Sequence, residues 1–267
     1  MGRFLITSRK EQLNEYKQIS DEYGVAFEIY DFYNPVVLDD QERTEVFIRQ
    51  YEQIGIPEGS TMHGAFLDVT VFSQDEAIRK VSRQRMEQSM QVAQRLKVKG
   101  VVFHTNCIPM LSGEEYDNQV VEFTVDYLKV LLDKYRDIDI YLENMFDQTP
   151  EILRRISEKL QMYPNYGVCF DYAHASLYGI DMEYWIEALA GYIKHIHIND
   201  NNLKKDLHLP VGDGVLDWKR FTMYYRQYFK ECSVLVETAL PEDQRRSLEY
   251  IDNRMGIRRM EGEYGNE

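Results

Sequence analysis

The chain has 267 residues, of which 44% are hydrophobic and 28% charged, so it can build a sizeable core and is neither disordered nor collagen-like. The 31 Lys and Arg residues against 45 Asp and Glu residues give a net charge of −14. A chain this acidic has no overall attraction for phosphate backbones or anionic lipid, so nucleic acid is a disfavoured partner.

Hydrophobic periodicity predicts a β-strand followed by an amphipathic helix, and this unit recurs along the chain. The predicted strands cover residues 3–7, 26–32, 61–69, 101–106, 138–145, 166–175, 192–200 and 233–240. The predicted helices cover residues 10–24, 41–53, 73–96, 113–134, 149–160, 181–190, 216–229 and 241–255. The pattern therefore contains eight strands and eight helices in strict alternation.

This alternation predicts parallel strands, because each helix carries the chain back across the sheet. Eight units without a linker or a shift in composition favour an α/β fold, a single (β/α)8 TIM barrel, over an open doubly wound sheet. We predict one domain over residues 1–267. In such a barrel the functional residues lie at the carboxyl ends of the strands.

The cysteines and the apolar runs indicate the compartment. Cys107, Cys169 and Cys232 stand far apart, which predicts reduced core thiols rather than disulfides. The first apolar run is too short for a signal peptide, and no stretch reaches the roughly 18 apolar residues of a membrane helix. We therefore expect a cytoplasmic protein with no membrane partner.

Histidines and carboxylates collect at the predicted strand ends. All six histidines lie in or just after strands three to seven, and carboxylates accompany them up to strand eight. The candidate functional residues are His63, His104, Glu143, Asp171, His174, His197, Asp206, His208 and Glu237. His195 lies two residues before His197 on the same side of the strand, and we expect it to be a hydrogen-bonded core histidine.

These residue types point to a bound metal ion. Imidazole nitrogen and carboxylate oxygen are the ligands that zinc, manganese or cobalt takes when no thiolate is offered. Glu143 and Glu237 follow apolar runs and should point inward, where an unpaired carboxylate is costly. Asp171 alone could be a helix N-cap. Together, however, three crowded carboxylates would raise one another's pKa values, and a divalent cation would relieve this repulsion.

The motifs around these residues resemble the xylose isomerase-like barrels, also called AP endonuclease family 2, over the full length of the chain. The motifs that carry the resemblance are HGAF, FHTN, YLEN, FDYAH, HIHIND, DLHLPVGDGVLDW and VET, in the family's order. The resemblance implies a TIM barrel. The family includes sugar isomerases and epimerases as well as the repair enzyme endonuclease IV.

The resemblance to ketose 3-epimerase-like members implies an isomerase or epimerase of a small-molecule sugar or sugar phosphate. It implies one divalent metal ion, which would be Mn, Zn or Co, held by Glu143, Asp171, His197 and Glu237. Glu143 and Glu237 would then be the acid and base that move a proton next to a carbonyl. The substrate-binding residues would be His174, His104 and His63.

Endonuclease IV-like members imply the alternative, a multinuclear zinc phosphodiesterase or AP endonuclease. They hold three zinc ions, and the additional ligands would be His63, His104, His174, Asp206 and His208. Neighbouring cations can activate a water and stabilise the leaving oxygen together. The net charge and the acidic segments 34–45 and 66–70 argue against a DNA substrate. A structural metal site without catalysis is a third interpretation.

The sequence leaves open whether the sugar is phosphorylated and whether the barrel forms a homo-oligomer. No dedicated phosphate motif stands out. Lys194, Lys204, Lys205 and Arg220 lie near strand seven, where barrels often bind phosphate, but a solvated charged face is the default expectation for them.

Overall fold

Eight parallel strands form the centre of the molecule in a computed structural model that describes residues 3–111 and 113–258. The strands are β1 Phe4–Ser8, β2 Ala26–Ile29, β3 Thr61–His63, β4 Gly100–His104, β5 Asp139–Glu143, β6 Tyr166–Asp171, β7 Ile193–Ile198 and β8 Ser233–Val236. Each strand pairs with the next and β8 pairs with β1, so the sheet closes. The predicted TIM barrel is confirmed. Because residues 1–2, 112 and 259–267 lie outside the described part, one domain over residues 1–267 stays a prediction.

Helices surround the barrel. Within the described residues they are α1 Leu13–Tyr23, α2 Pro35–Asp39, α3 Gln41–Ile54, α4 Glu76–Leu96, α5 Glu114–Lys134, α6 Glu151–Leu160, α7 Tyr172–Ser176, α8 Met182–Leu189, α9 Trp218–Tyr224 and α10 Pro241–Tyr250. Helices α9 and α10 continue into single π-helical turns at residues 225–229 and 251–255. The sequence pattern predicts eight helices and misses α2 and α7, because five residues are too few to show helical periodicity.

The helices pack an apolar face against the outside of the barrel. In α1, Tyr16 and Ile19 are buried, and Gly24 ends the helix with φ +65°, a conformation that suits glycine. The same arrangement recurs around the ring, so one continuous apolar layer lies between strands and helices. This layer holds the strands in register and fixes the positions of their carboxyl ends.

The inside of the barrel is partly polar. Glu28 on β2 and His195 on β7 are fully buried there, beside a small apolar cluster formed by Leu5, Ala26, Tyr30 and Leu235. The register between β6 and β7 shifts at Val168 and Cys169, which leaves Lys194 unpaired with β6 and exposed. His195 and His197 are two residues apart on β7 and both face the interior, as the alternation predicts.

Two further predictions concern thiols and membranes. Cys107, Cys169 and Cys232 are buried and free, as predicted. None of the helices in residues 3–111 and 113–258 combines the length and the apolar character that crossing a membrane requires.

Candidate metal centre

The nine candidate residues lie together at the carboxyl ends of the strands. The residues that end β3 to β6 are His63, His104, Glu143 and Asp171, while His197 lies near the end of β7, Glu237 follows β8, His174 lies in α7, and Asp206 and His208 lie in the loop after β7. Parallel strands in a closed barrel end on one rim, and for this reason the positions read from the sequence converge in space.

The central group consists of Glu143, Asp171, His197 and Glu237. His197 Nδ1 lies 3.4 Å from Glu143 Oε2 and 3.4 Å from Glu237 Oε2. Ligand atoms of Glu143, Asp171 and His197 lie within 4.8 Å of one another. Asp171 is also the N-cap of α7, since its Oδ1 accepts a 2.7 Å hydrogen bond from the His174 backbone N–H, and its second oxygen remains directed to the group.

A second group lies on the side of β3 and β4. His63 Nε2 and His104 Nε2 are 3.0 Å apart, and Glu143 Oε2 lies 3.8 Å and 3.3 Å from them respectively. Burial lowers the pKa of His63 to about 4, and His104 adds to this effect. His63 is therefore a neutral imidazole at pH 7 with a lone pair available to a cation. Glu143 belongs to both groups.

A third group lies at the opening. Asp206 Oδ2 is 3.3 Å from His174 Nε2 and 2.7 Å from His208 Nε2. His208 adopts φ +47°, a left-handed conformation that is uncommon outside glycine. Such strain is typical of positions that function requires.

Unsatisfied buried atoms show that the residues fit a metal ion. Polar atoms that are buried without a hydrogen bond are rare in folded proteins. Among residues 3–111 and 113–258, such atoms at this site include Glu143 Oε2, Asp171 Oδ2, His197 Nδ1, Asp206 Oδ1 and Glu237 Oε2. Burial raises the pKa of Asp171 to about 7; His174 opposes this rise, while the charges of Glu237 and Glu143 add to it. A divalent cation would give these oxygens and nitrogens their missing partner.

A cavity of about 290 Å³ opens above the central group. Six candidate residues line it: His63, His104, His174, Asp206, His208 and Glu237. Tyr33, Phe66 and Met145 add apolar and aromatic wall. Glu143, Asp171 and His197 lie below this lining, 1% exposed or less. The volume is at the small end of ligand sites and suits a molecule of the size of one sugar.

Two residues, Glu28 in β2 and Tyr30 directly after it, were missed by the sequence reasoning. Glu28 Oε1 lies 3.1 Å from His197 Nε2, and its Oε2 lies 3.0 Å from His195 Nε2. Tyr30 donates a 2.6 Å hydrogen bond to Glu237 Oε1. The alternation of side chains along the predicted strand 26–32 could have revealed them, because it places Glu28 and Tyr30 on the inward-facing side. A buried carboxylate at such a position needs a partner. A 2.6 Å hydrogen bond also joins His195 Nδ1 and Ser233 Oγ, as expected of a core histidine.

The loop that carries Asp206 and His208 is held by one buried carboxylate, Asp200. Asp200 Oδ1 accepts hydrogen bonds from the backbone N–H groups of Asn201 and Leu216 at 2.9 and 3.1 Å. Its Oδ2 accepts from Gly212 N at 3.0 Å and Trp218 Nε1 at 2.7 Å. Four donors therefore converge on one side chain and fix the loop against the barrel.

Fold and site together define a TIM-barrel protein in which imidazole and carboxylate side chains cluster at the carboxyl ends of the strands. The model of the xylose isomerase-like TIM barrel family matches residues 4–254. The chain therefore belongs to the xylose isomerase-like TIM barrel family, as its motifs indicate.

Individual proteins are also similar to the chain, at sequence identities of 22% to 30%. Uncharacterized protein MJ1311 of Methanocaldococcus jannaschii is 30% identical over 168 residues, which cover 59% of this chain and 56% of that protein. The TTHB071 protein from Thermus thermophilus, soaked with ZnCl2, superimposes with a TM-score of 0.76 at 22% identity over 97% of this chain and 99% of that chain. A D-tagatose 3-epimerase-like protein superimposes with a TM-score of 0.75 at 22% identity, over 98% of this chain and 99% of that chain. At these identities the solved structures support the fold.

Proposed function

We propose that the protein is a divalent-metal-dependent isomerase or epimerase of a sugar or sugar phosphate. The observation that carries this proposal is the convergence of Glu143 and Glu237 on His197, with one oxygen of each carboxylate 3.4 Å from Nδ1. Carboxylates that reach one point from β5 and β8 can act as acid and base on two sides of a substrate. The likeness to a D-tagatose 3-epimerase-like protein supports this reaction class.

The ion would be held by Glu143, Asp171, His197 and Glu237, and when bound it would polarise the substrate carbonyl as a Lewis acid. Glu237 lines the cavity; Tyr30 donates a hydrogen bond to its Oε1, and its Oε2 has no hydrogen bond within the described part of the chain. In the proposal Glu237 takes the proton from the carbon next to the carbonyl. Glu143, which lies below the lining, is the second proton carrier.

Three of the four histidines that line the cavity have a separate role in the proposal. His174, His104 and His63 would bind substrate hydroxyls, because each presents ring nitrogens at the cavity wall. His174 Nδ1 lies 3.0 Å from the Asn144 carbonyl oxygen, which fixes the ring and directs Nε2 outward. These contacts would orient the sugar over the carboxylate pair.

Proton exchange with solvent tests the proposal. A panel of ketoses and ketose phosphates in D2O should show deuterium at the carbon next to the carbonyl, detected by NMR. Glu237→Gln should reduce the exchange rate by at least about 100-fold, because the amide cannot take the proton. The circular dichroism spectrum should not change.

The matched control is Glu242→Gln, the same substitution at an exposed position of α10. It should leave exchange unchanged. If Glu237→Gln keeps more than about a tenth of the wild-type rate, or if no sugar in the panel exchanges, Glu237 is not the base of this reaction.

A second candidate, a multinuclear zinc phosphoester hydrolase, is favoured by one specific observation. Beyond the central group, His63 and His104 form a further group with Glu143, and His174, Asp206 and His208 form another. A mononuclear epimerase needs only the central four ligands. Neighbouring cations could serve phosphoester cleavage.

Metal stoichiometry decides between the two candidates. One ion per chain, measured by plasma mass spectrometry on protein purified without chelators, supports the epimerase; two or three zinc ions favour the hydrolase. His208→Ala should leave the metal content unchanged in the first case and remove about one ion per chain in the second. Lys205→Ala, an exposed change in the same loop, is the control.

We infer a small-molecule partner and a cytoplasmic setting. The cavity has room for one sugar rather than for a duplex, and the net charge of −14 opposes nucleic acid. Three buried free cysteines fit a reducing compartment.

A further inference from the structure

Three side chains that line the cavity have buried polar atoms without a hydrogen-bond partner in the part of the chain that the structure describes. They are Thr7 and Arg9 at the end of β1 and Thr238 just after β8. Thr7 and Thr238 are each 2% exposed, yet neither hydroxyl makes a hydrogen bond. The Nε of Arg9 is also buried without an acceptor. Buried donors of this kind are costly unless something accepts from them.

The three side chains belong to one wall. Strands β1 and β8 are neighbours, with Ile6 paired to Val236, so the segments that follow them leave the barrel side by side. The guanidinium of Arg9 lies 5.9 Å from the centre of the Tyr30 ring, and Tyr30 in turn binds Glu237. The wall therefore borders the proposed base, Glu237, through Tyr30 and through the neighbouring residue Thr238.

Arg9 is the one lysine or arginine among the described residues that line the cavity. In a chain of net charge −14 it forms no ion pair with any described carboxylate within 4.0 Å, whereas Arg220 pairs with Asp181 at 2.8 Å. A guanidinium offers several N–H donors in a fixed plane that matches the oxygens of a phosphate or a carboxylate.

The cations near strand seven do not serve this cavity. Lys194, Lys204, Lys205 and Arg220 are absent from its lining. Lys194 donates to the Pro164 carbonyl oxygen, and Arg220 is paired with carboxylates. Because these four side chains lie outside the lining, Arg9 is the Lys or Arg side chain that a ligand in the cavity could reach.

We propose that Thr7, Arg9 and Thr238 bind an anionic group of the substrate, a phosphate or a carboxylate carried by the sugar. The inference rests on the proposed function for the sugar part of the ligand. The anion would accept from the guanidinium and from the two hydroxyls, which satisfies all three side chains at once. It would also place the rest of the sugar next to Glu237.

Equilibrium binding to the metal-loaded protein tests the inference without relying on turnover. The probes are D-fructose 6-phosphate against D-fructose for the phosphate, and D-glucuronate against D-glucose for the carboxylate. One of the two anionic probes should bind at least about tenfold more tightly than its neutral parent. Direct contact of an anion with the metal ion is common to all variants and cancels in their comparison.

Substitutions identify the residues that cause the tighter binding of the anionic probe. Arg9→Gln should remove it while changing the affinity for the neutral sugar less than about twofold, and Arg9→Lys should keep part of it. Thr7→Val and Thr238→Val should each weaken only the anionic probe, by roughly threefold to tenfold. The control Lys205→Gln removes a cation at the same end of the barrel and should not alter the preference.

The contrary results are equally defined. Equal wild-type affinity for charged and neutral probes, or no binding of either anion up to about 10 mM, overturns the inference. Equal losses for both probes in Arg9→Gln would mean that Arg9 acts on Glu237 and not on an anion. If the preference holds and no sugar exchanges protons, the proposed reaction fails while the anion site stands.

Discussion

At the scale of single residues, Glu28 would orient His197 in the proposed metal site. Its carboxylate lies between the two histidines of β7, with Thr61 donating a 2.6 Å hydrogen bond to the same Oε2 that faces His195. Burial would raise the pKa of Glu28, but His197 and His195 hold it below its usual range. A charged carboxylate at Nε2 favours the tautomer of His197 that keeps Nδ1 free for a metal ion.

Glu28→Gln should therefore weaken metal binding by about 10- to 100-fold, because the neutral amide no longer orients the imidazole or increases its basicity. Competition with a chromogenic chelator measures this affinity directly. Thr61→Val is the control, since it removes a hydroxyl from the other oxygen of the same carboxylate and should change the affinity by less than about threefold. If Glu28→Gln binds the metal as tightly as the wild type does, the contact between Glu28 and His197 does not contribute to metal binding.

The site was predictable from the sequence where residues end strands. His63, His104, Glu143 and Asp171 end strands, His197 lies near the end of β7 and Glu237 follows β8, so the closed barrel brings these six together; the other three are His174 in α7 and Asp206 and His208 in the loop after β7. Glu28, Tyr30 and the wall of Thr7, Arg9 and Thr238 were not found. Their roles depend on which side chain finds a hydrogen-bond partner, and one-dimensional spacing does not contain that information.

At the scale of elements, the loop between β7 and α9 is the least regular part of the site and depends on Asp200. Gly214 belongs to the same arrangement, because a Cβ there would lie 2.2 Å from Asp200 Oδ1. The sequence pattern does not reveal this anchor, because it depends on contacts between residues that are 12 to 18 positions apart. Similarly, α2 was missed because it arises from the Asn34 cap and the following proline rather than from periodicity.

Asp200→Asn should lower the free energy of unfolding by about 2 to 4 kcal/mol, because an amide nitrogen would face two of the four donors. Urea denaturation followed by tryptophan fluorescence measures the change. If the site is multinuclear, the zinc content that depends on Asp206 and His208 should fall with it; with a single ion held by the central four residues, the metal content should not change.

Asp213→Asn lies in the same loop but removes only a surface ion pair with Arg246, so its effect should stay below about 1 kcal/mol. If both variants lose the same small amount, the four hydrogen bonds of Asp200 do not hold the loop.

At the scale of the whole molecule, the burial of one carboxyl group makes stability depend on pH. Half-buried Asp31, just after β2, accepts hydrogen bonds from Lys10 N at 2.9 Å and Tyr51 Oη at 2.6 Å. Burial nevertheless raises its pKa from 3.8 to about 6. The folded protein therefore keeps a proton on Asp31 at pH values where the unfolded chain has lost it.

A raised pKa contributes stability that is complete below pH 3.8 and is lost as the pH rises through about 6. Asp31→Asn is neutral at every pH and can still accept both hydrogen bonds through its amide oxygen. The free energy of unfolding of the variant minus that of the wild type should therefore grow by up to about 3 kcal/mol between pH 4 and pH 7. Urea denaturation across this range measures the difference, with Asp21→Asn on the exposed face of α1 as the control. Parallel pH profiles for wild type and Asp31→Asn would show that Asp31 is ionised in the folded protein and that its two hydrogen bonds outweigh its burial.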